Sequence, residues 1–350
     1  MIQKSKHLYI HIPFCKSICT YCDFVRFVKN QQDVTTYVHK IISEVTKKCT
    51  HHQFQTIYIG GGTPNSLTDD LLAMLTRTVS KYLERDNYEF TIECNPELLT
   101  TTQCAILKAN KVNRVSIGVQ TTNNALLQKF QRQHTLNDVK QAIDNLQKVG
   151  IGNIAIDLMY GFNELQNKDI KAAGELIKTM HIPHVSWYAL EVKPGSMLYQ
   201  QQYPLHDECI ETQLQSIIQL MHELGYQRYE VSNWCKSSRC ESLHNKAYWL
   251  TQDWKAIGLG SCGFENQTYY ENVGTIKHWT MHKNRYTKYD YYFQIMLMGL
   301  RLQTGLCLSH RPYKAAYKYF KNKLKYVHIE DNHLVVDNLN LLDNTLIDLM

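Results

Sequence analysis

Three cysteines near the N-terminus have a spacing suited to metal chemistry. Cys15, Cys19 and Cys22 are separated by three and then two residues, so one loop can present three thiolates to one iron–sulfur cluster. Three protein ligands to a 4Fe–4S cubane leave one iron open to an exchangeable ligand, whereas four would close the site. Zinc and incidental thiols are the alternatives, but structural zinc usually takes four ligands. The spacing therefore favours an open 4Fe–4S cluster.

The elements that must position these cysteines alternate along the first half of the chain. Apolar, β-branched runs are separated by segments with helical apolar spacing, which indicates successive βαβ units and a parallel sheet. The strand-like runs are Leu8–Ile12, Thr56–Ile59, Phe90–Glu93, Arg114–Val119, Asn153–Met159 and His184–Leu190, and the helix-like segments include Val34–Val45, Leu71–Leu83, Leu136–Val149 and Ile170–Met180. Six such units favour an α/β fold with a partial or full TIM-like barrel.

Residues capable of chemistry recur at the carboxyl ends of these strands. They are Cys15, Gly60–Pro64, Glu93–Pro96, Gln120 and Asp157. In parallel α/β barrels the loops at that edge converge on the active site. We therefore expect these residues to share one site.

The pattern changes from about Tyr203, where a helix-like stretch leads into a polar, aromatic-rich region. Near the C-terminus, Tyr326–Ile329 and Leu334–Val336 flank a turn, which predicts a hairpin among helices. We predict a barrel core with the cluster loop over residues 1–202, a barrel extension over 203–285 and a winged-helix-like domain over 286–350.

Composition indicates a globular protein. The chain has 350 residues, of which 44% are hydrophobic and 20% charged, and it carries eleven cysteines. No apolar run is long enough for a membrane-spanning helix, and the polar start of the chain leaves no room for a signal peptide. We expect a cytosolic location, where the cysteines would be thiols or metal ligands.

Charge is less informative about partners. The net charge of +6 could suit an anionic small molecule or a nucleic acid, or it could be a solvated surface. Positive charge is concentrated near the C-terminus at Lys314, Lys318, Lys321, Lys323 and Lys325. We interpret these lysines as a solvated helix face and expect no nucleic-acid partner.

The cysteine motif and its surroundings resemble a known family. Leu8-Tyr-Ile-His-Ile-Pro-Phe-Cys15, with the following CxxxCxYC and Asp23-Phe24, resembles the radical S-adenosylmethionine (SAM) core of the coproporphyrinogen-oxidase family. The resemblance continues through Arg114–Gln120 and Arg132–His134 and covers nearly the whole chain. It implies that SAM chelates the open iron and that an electron from the cluster cleaves SAM to a 5′-deoxyadenosyl radical.

The same resemblance implies roles for individual residues. The turn containing Gly61, Gly62 and Thr63 would bind the amino group of SAM, and Glu93 would contact SAM as well. Further residues would line the SAM and substrate end of the barrel: Tyr9, Gln120, Arg132, Asp157 and Ala189. The loop 162–167 departs from the family pattern, so no contacts are expected from it by resemblance.

Two features separate the oxidases from the HemW-like haem chaperones of this family. The oxidases carry a fourth cysteine where this chain has Phe24, and they have a longer segment before the motif than the fourteen residues that precede Cys15. Both differences argue against coproporphyrinogen decarboxylation. The chaperone branch has an HNxxYW motif, which appears here with His244, Tyr248 and Trp249. The resemblance implies that His244 contacts haem, as a candidate axial ligand, and that the two aromatic rings pack against the porphyrin.

The sequence therefore predicts a cytosolic haem chaperone that binds haem and a SAM-ligated 4Fe–4S cluster. Its expected partners are a haem-acceptor apoprotein and an electron donor to the cluster, and a homodimer is possible. The alternative is a radical SAM oxidoreductase of porphyrin biosynthesis. Cys235 and Cys240 could ligate haem or another metal, but two ordinary thiols in a polar loop are the favoured interpretation.

Overall fold

A computed structural model of the chain describes residues 4–28 and 30–349. Its first half alternates strands and helices. In chain order they are β1 His7–Ile12, β2 Phe14–Cys15, β3 Phe27–Val28, α1 Gln31–Lys48, β4 Thr56–Gly61, α2 Asp69–Val79, β5 Glu89–Cys94, α3 Thr101–Ala109, β6 Arg114–Gln120, α4 Asn124–Lys129, α5 Leu136–Lys148, β7 Asn153–Tyr160, α6 Asn167–Thr179 and β8 His184–Ala189. Strands β1, β4, β5, β6, β7 and β8 pair in that order, all in parallel. The predicted α/β fold with six parallel barrel strands is confirmed.

Alternation along each strand separates an apolar outer face from a polar inner face. In β1, Leu8, Ile10 and Ile12 are fully buried in the main apolar core, which also includes the apolar face of α1. The residues that alternate with them point to the opposite side of the sheet. There His7 hydrogen-bonds to Thr56 of β4, and Tyr9 stacks on Tyr58 of the same strand. The barrel interior is therefore lined by side chains that can hydrogen-bond, and the helices cover the outside.

The middle of the chain extends the same sheet in both directions. Its elements are α7 Met197–Gln200, α8 Asp207–Glu223, β9 Gln227–Arg228, β10 Asn233–Cys235, α9 Leu243–Trp249, β11 Trp254–Ile257, β12 Cys262–Glu265, β13 Thr268–Gly274 and β14 Trp279–Arg285. The sheet has the strand order β14-β13-β12-β11-β1-β4-β5-β6-β7-β8-β10-β9. Strand β11 runs parallel to β1, and β10 runs antiparallel to β8. Residues predicted as a barrel extension thus flank both ends of the six-stranded core.

The C-terminal segment has its own small sheet and apolar core. It contains α10 Lys288–Gly299, β15 Leu306–Cys307, α11 Arg311–Phe320, β16 Val327–Glu330, β17 His333–Val336 and α12 Leu342–Ile347. The predicted hairpin is present as β16 and β17, and β15 pairs with β17. Ile295, Phe320 and Leu346 belong to a core separate from that of the barrel.

The predicted domain boundaries and the winged-helix-like description of residues 286–350 remain predictions. Residues 1–3, at the start of the first predicted domain, and residue 350, at the end of the last one, lie outside the described residues. Across residues 4–28 and 30–349, no helix is long and apolar enough to cross a membrane.

Candidate cluster and cofactor site

The three clustered cysteines line one cavity of about 410 Å³ at the carboxyl ends of the parallel strands. Cys15 ends β2 and is buried, whereas Cys19 and Cys22 lie in the loop that follows and are partly exposed. The loop is closed by a hydrogen bond from the Cys22 backbone N–H to the Cys19 carbonyl, at 3.2 Å. The predicted convergence of the cysteines on the strand ends therefore holds.

The glycine turn after β4 lies directly against Cys15. A Cβ atom added to Gly62 would lie 2.9 Å from Cys15 Sγ and 2.9 Å from the Phe14 backbone, so only glycine fits without displacement. The Thr63 hydroxyl donates to Cys15 Sγ at 3.5 Å. The turn thus brings backbone and a hydroxyl donor to the position of the expected cluster.

A second glycine segment supports the cluster loop from the far side. Gly260, with φ +80°, has Val25 packed where its side chain would be, at 2.7 Å from an added Cβ. The Val25 carbonyl accepts a hydrogen bond from His11 Nε2 at 3.0 Å. The segment 257–260 therefore holds the residues that follow Cys22.

The electrostatics of the cysteines fit metal-thiolate ligation. Burial raises the pKa of Cys15 and raises that of Cys22 to about 11, so both are neutral thiols at neutral pH until a metal displaces their protons. The Arg132 guanidinium donates to Cys19 Sγ at 3.6 Å and supplies positive charge beside the sulfur ligands. Hydrogen bonds and charge of this kind tune iron–sulfur clusters.

The described part of the chain contains no group of three or more His, Cys, Asp or Glu side chains arranged to hold a single metal ion. A cubane differs from such an ion because each cysteine ligates a different iron and the thiols stand farther apart. Three thiols on one cavity wall, with a glycine cradle and an adjacent cation, fit a 4Fe–4S cluster better than a zinc ion.

Glu93 is a partly buried carboxylate near the end of β5, beside the glycine turn. Its Oε1 accepts from the Tyr58 hydroxyl at 2.8 Å, and its Oε2 accepts from the Gly61 N–H at 3.0 Å. Burial raises its pKa to about 7, against the opposing effect of the Tyr58 hydrogen bond. A Cβ on Gly60 would lie 2.8 Å from Oε2, so that glycine makes room for the carboxylate.

Gln120 ends β6 in a left-handed conformation, with φ +67°, where the strand pairing shifts register. Such backbone conformations in non-glycine residues often occur at functional sites, and a bulge re-aims a side chain. The Gln120 Oε1 accepts from the Tyr188 hydroxyl at 2.6 Å. Both side chains line the cavity.

Arg132 and Asp157 also line the cavity that contains the three cysteines. Arg132 Nη2 donates to the Gly118 carbonyl at 2.7 Å and to Asn95 Oδ1 at 3.0 Å. Both Asp157 carboxylate oxygens lie 3.1 Å from the Ser116 hydroxyl that donates to them. Burial raises the pKa of Asp157, and hydrogen bonds from Ser186 and Ser116 oppose that shift.

Most of the residues predicted for this site are brought together by the fold. The following predicted residues line the cavity: Cys15, Cys19, Cys22, Gly61, Gly62, Thr63, Glu93, Gln120, Arg132 and Asp157. Tyr9 and Ala189 are not among the lining residues. Tyr9 stacks on Tyr58, with ring centroids 6.0 Å apart, and its hydroxyl is 3.0 Å from His11 Nδ1, so it lies behind the wall.

His244 lies inside the barrel instead of on an accessible surface. It is fully buried, its Nδ1 is 2.6 Å from Thr56 Oγ1, and its Nε2 is 2.7 Å from the Tyr248 hydroxyl. Its ring also stacks on Tyr58 at 5.1 Å. With both ring nitrogens occupied, His244 cannot ligate haem iron in this conformation. The haem contact stays a prediction, and it would need at least one of these hydrogen bonds to break.

The two aromatic residues of the HNxxYW motif point in different directions. Tyr248 packs edge-on against Trp254 of β11, with the ring centroids 4.8 Å apart. Trp249 faces the C-terminal segment, where the Arg301 guanidinium lies 5.7 Å from its ring centroid. Neither ring lines the cavity. They do not form a joint flat surface for a porphyrin in this conformation.

Sequence reasoning missed several lining residues. They are Tyr58, Ser116, Ser186, Tyr188, Asn233 and Asn245. Strand alternation could have found Tyr58, Ser116 and Ser186, because each shares the inner face with a predicted site residue. Asn245 follows His244 directly, but no local signal shows which of two neighbours in a helix faces a cavity.

Comparison with known proteins identifies a family model that matches residues 9–177, that of the radical SAM superfamily. The heme chaperone HemW of Lactococcus lactis subsp. lactis is 32% identical over 340 residues, covering 93% of this chain and 86% of the relative. The heme chaperone HemW of Bacillus subtilis is 34% identical over 284 residues, covering 78% and 75%.

A solved structure resembles the whole fold. Coproporphyrinogen III oxidase (HemN) from Escherichia coli, described as a radical SAM enzyme, superposes with a TM-score of 0.81 at 18% identity, covering 99% of this chain and 90% of the oxidase. At that identity the likeness establishes the fold alone.

Proposed function

The chain belongs to the HemW family of the radical SAM superfamily, and we propose that it is a haem chaperone that carries a SAM-ligated 4Fe–4S cluster. In this proposal it binds haem and passes it to an acceptor apoprotein in the cytosol. The observation that carries the proposal is the single cavity that gathers the three cysteines, the glycine turn and Glu93. Residues from three separate segments, each suited to one part of a cluster with SAM, meet there.

Each part of the cavity has a role in this proposal. Cys15, Cys19 and Cys22 would hold three irons, the turn 61–63 and Glu93 would hold the amino-acid end of SAM, and Gln120, Arg132 and Asp157 would line the remainder. When bound, the cluster and SAM supply one-electron chemistry. The protein orients these groups and provides positive charge at Arg132.

Haem contact at His244, Tyr248 and Trp249 is part of the same proposal. Because His244 is fully buried and both ring nitrogens are hydrogen-bonded, contact would need at least one of these hydrogen bonds to break. A free ring nitrogen could then ligate iron, and the aromatic rings could pack on the porphyrin. An electron donor to the cluster is the further partner that the proposal requires.

Anaerobic reconstitution with iron and sulfide, followed by haemin titration, tests the proposal. We expect a broad cluster absorbance and a saturable Soret shift, followed by loss of the bound haem when a haem-free acceptor is added. A Cys19→Ala variant is the matched control, since it should lose the cluster absorbance. Protein with an intact cluster but no Soret shift would exclude the chaperone function.

A radical SAM oxidoreductase acting on a porphyrinogen is the second candidate. The observation in its favour is that Asp157 and Gln120 line the same cavity as the cluster cysteines, where a substrate could reach SAM. This function predicts substrate-dependent 5′-deoxyadenosine under reducing, anaerobic conditions. Phe24 in place of a fourth cysteine argues against coproporphyrinogen itself as the substrate.

A further inference from the structure

A buried amide oxygen in the cavity wall has no hydrogen-bond partner. Asn233 lies in β10, is 4% exposed and lines the cavity. Its Oδ1 has no partner in the part of the chain that the structure describes. Buried polar atoms are nearly always paired, so an unpaired one on a residue that lines a cavity marks a position for a ligand or a water molecule.

The orientation of this amide is set by its neighbour Glu230. Burial raises the pKa of Glu230, and hydrogen bonding from the Asn233 side chain opposes that shift. The amide nitrogen is the group of Asn233 able to donate to the carboxylate. Glu230 is itself buried and also accepts from the Ser232 N–H at 3.1 Å. With its nitrogen used on this side, Asn233 presents a hydrogen-bond acceptor to the cavity.

A second amide reaches the same cavity from α9. Asn245 lines the cavity, and its backbone N–H donates to Ser242 Oγ at 3.3 Å. The start of α9 is held by Glu89, whose carboxylate accepts from the backbone N–H groups of Leu243 and His244 at 2.9 and 3.0 Å. Asn245 is thus carried on a helix that is bonded to the barrel.

Asn233 continues a row of polar residues along the wall. Asp157 pairs with Ser186 across β7 and β8, and Ser186 pairs with Asn233 across β8 and β10. Neighbouring strands are about 4.8 Å apart, so Asn233 lies roughly 10 Å from Asp157 along this row. A ligand held at the Glu93 and Asp157 end can therefore reach Asn233 with its other end, and Asn245 lines the same cavity.

We propose that Asn233 and Asn245 form a subsite that recognises a hydroxyl or N–H group of a ligand in this cavity. The inference rests on the proposed binding of SAM there and goes beyond the residues assigned to it. SAM carries suitable donors in its ribose hydroxyls and its adenine amino group. Haem could supply such a donor only through the O–H of a protonated propionic acid group.

The subsite does not suit the other groups of haem. The porphyrin nitrogens of haem bind iron and carry no hydrogen, and ionised propionates are acceptors that Asn233 Oδ1 would repel. SAM is therefore the expected occupant of the subsite. HNxxYW would then contribute to the cavity through its asparagine, while its histidine stays in the barrel.

The test compares reconstituted wild-type protein with Asn245→Ala and Asn233→Ala. Lys246→Ala is the matched control, because Lys246 neighbours Asn245 on α9 and pairs with Glu241 outside the cavity. SAM affinity is measured by anaerobic equilibrium dialysis, and haemin affinity by Soret titration. Loss of one neutral hydrogen bond should raise the Kd for SAM about three- to tenfold in each asparagine variant and leave haemin binding and the control unchanged.

The outcomes separate the subsite from the proposed function. Weaker haemin binding with unchanged SAM binding would support the subsite and assign its donor to haem. Unchanged affinities for both ligands in Asn245→Ala, in protein that retains its cluster, would overturn the subsite even if the more buried Asn233→Ala fails to fold. Wild-type protein that binds neither SAM nor haemin would overturn the proposed function as well.

Discussion

Among the individual side chains of the cavity, Glu93 has the environment that responds most directly to ligand charge. Two neutral donors, the Tyr58 hydroxyl and the Gly61 N–H, contact its carboxylate. No residue in the described part of the chain forms a salt bridge with it. Burial therefore raises its pKa to about 7, which places its titration in the physiological range. A ligand that brings a sulfonium and an amino group would favour the ionised form.

Replacing Glu93 by Gln should weaken SAM binding about tenfold or more, because a charge-assisted hydrogen bond contributes about 1.5–3 kcal/mol. In the wild type, protonation below the pKa of about 7 removes the charge that attracts SAM. SAM affinity should therefore rise from about pH 6 to about pH 7.5, and Glu93→Gln should lose this dependence. Equilibrium dialysis across that range provides the measurement.

Glu84→Gln is the control for this prediction, since Glu84 is a carboxylate outside the cavity. A pH slope that persists in Glu93→Gln would assign the titration to another group, such as Asp157.

At the scale of secondary-structure elements, the turn after β4 determines how closely the chain approaches the cluster loop. Gly62→Ala should reduce the iron bound per chain to well below that of the wild type, because the new Cβ meets both Cys15 Sγ and the Phe14 backbone at 2.9 Å. Iron and sulfide analysis after reconstitution measures this. Gly152→Ala should retain full iron content, since no atom lies within 4 Å of its added Cβ. Equal iron content in the two variants would disprove the close approach.

Helix α9 depends on the barrel interior for its position. His244→Ala should lower the free energy of unfolding by about 2–4 kcal/mol, since it removes two buried hydrogen bonds and leaves a cavity. Urea denaturation provides the measurement, with His206→Ala, an exposed histidine, as the control. A variant as stable as the wild type would show that α9 is already out of the barrel in solution.

This result bears on how haem binding should be assayed. A loss of haem affinity in His244→Ala could arise from misplacement of α9 as easily as from loss of an iron ligand. Variants that change the cavity face of α9 without removing its internal hydrogen bonds are therefore more informative.

Across the whole molecule, the C-terminal segment packs on the barrel next to α9. The Tyr313 hydroxyl donates to the Leu250 carbonyl just beyond α9 at 2.7 Å, and Gln303 N–H donates to the Tyr229 carbonyl at 2.9 Å. Arg301 lies over Trp249 in the same interface. Movement of α9 would therefore disturb the contact between the two cores.

Tyr313→Phe should destabilise this contact by about 1 kcal/mol, the usual net contribution of one hydrogen bond. Denaturant unfolding followed by tryptophan fluorescence would detect the change. Tyr326→Phe is the control, because Tyr326 is half-exposed. If the two variants unfold at the same denaturant concentration, the Tyr313 bond does not stabilise the interface.

Much of the fold and most of the site could be predicted from the sequence because the deciding signals are local. Alternating apolar residues predicted β1 and β4 to within two residues of their ends, and helical spacing predicted α5 over its whole length and one residue beyond. The cysteine spacing and the residues following each strand predicted the cavity, because parallel strands place their carboxyl ends together.

Only the tertiary structure decided where the HNxxYW motif lies and what it contacts. Thr56 and His244 are hydrogen-bonded although 188 positions separate them, and β11 pairs with β1 across an even longer separation in the chain. The burial of a polar side chain depends on such distant partners, which no local pattern encodes. For that reason the sequence identified the motif, whereas the fold placed His244 in the barrel and Asn245 in the cavity.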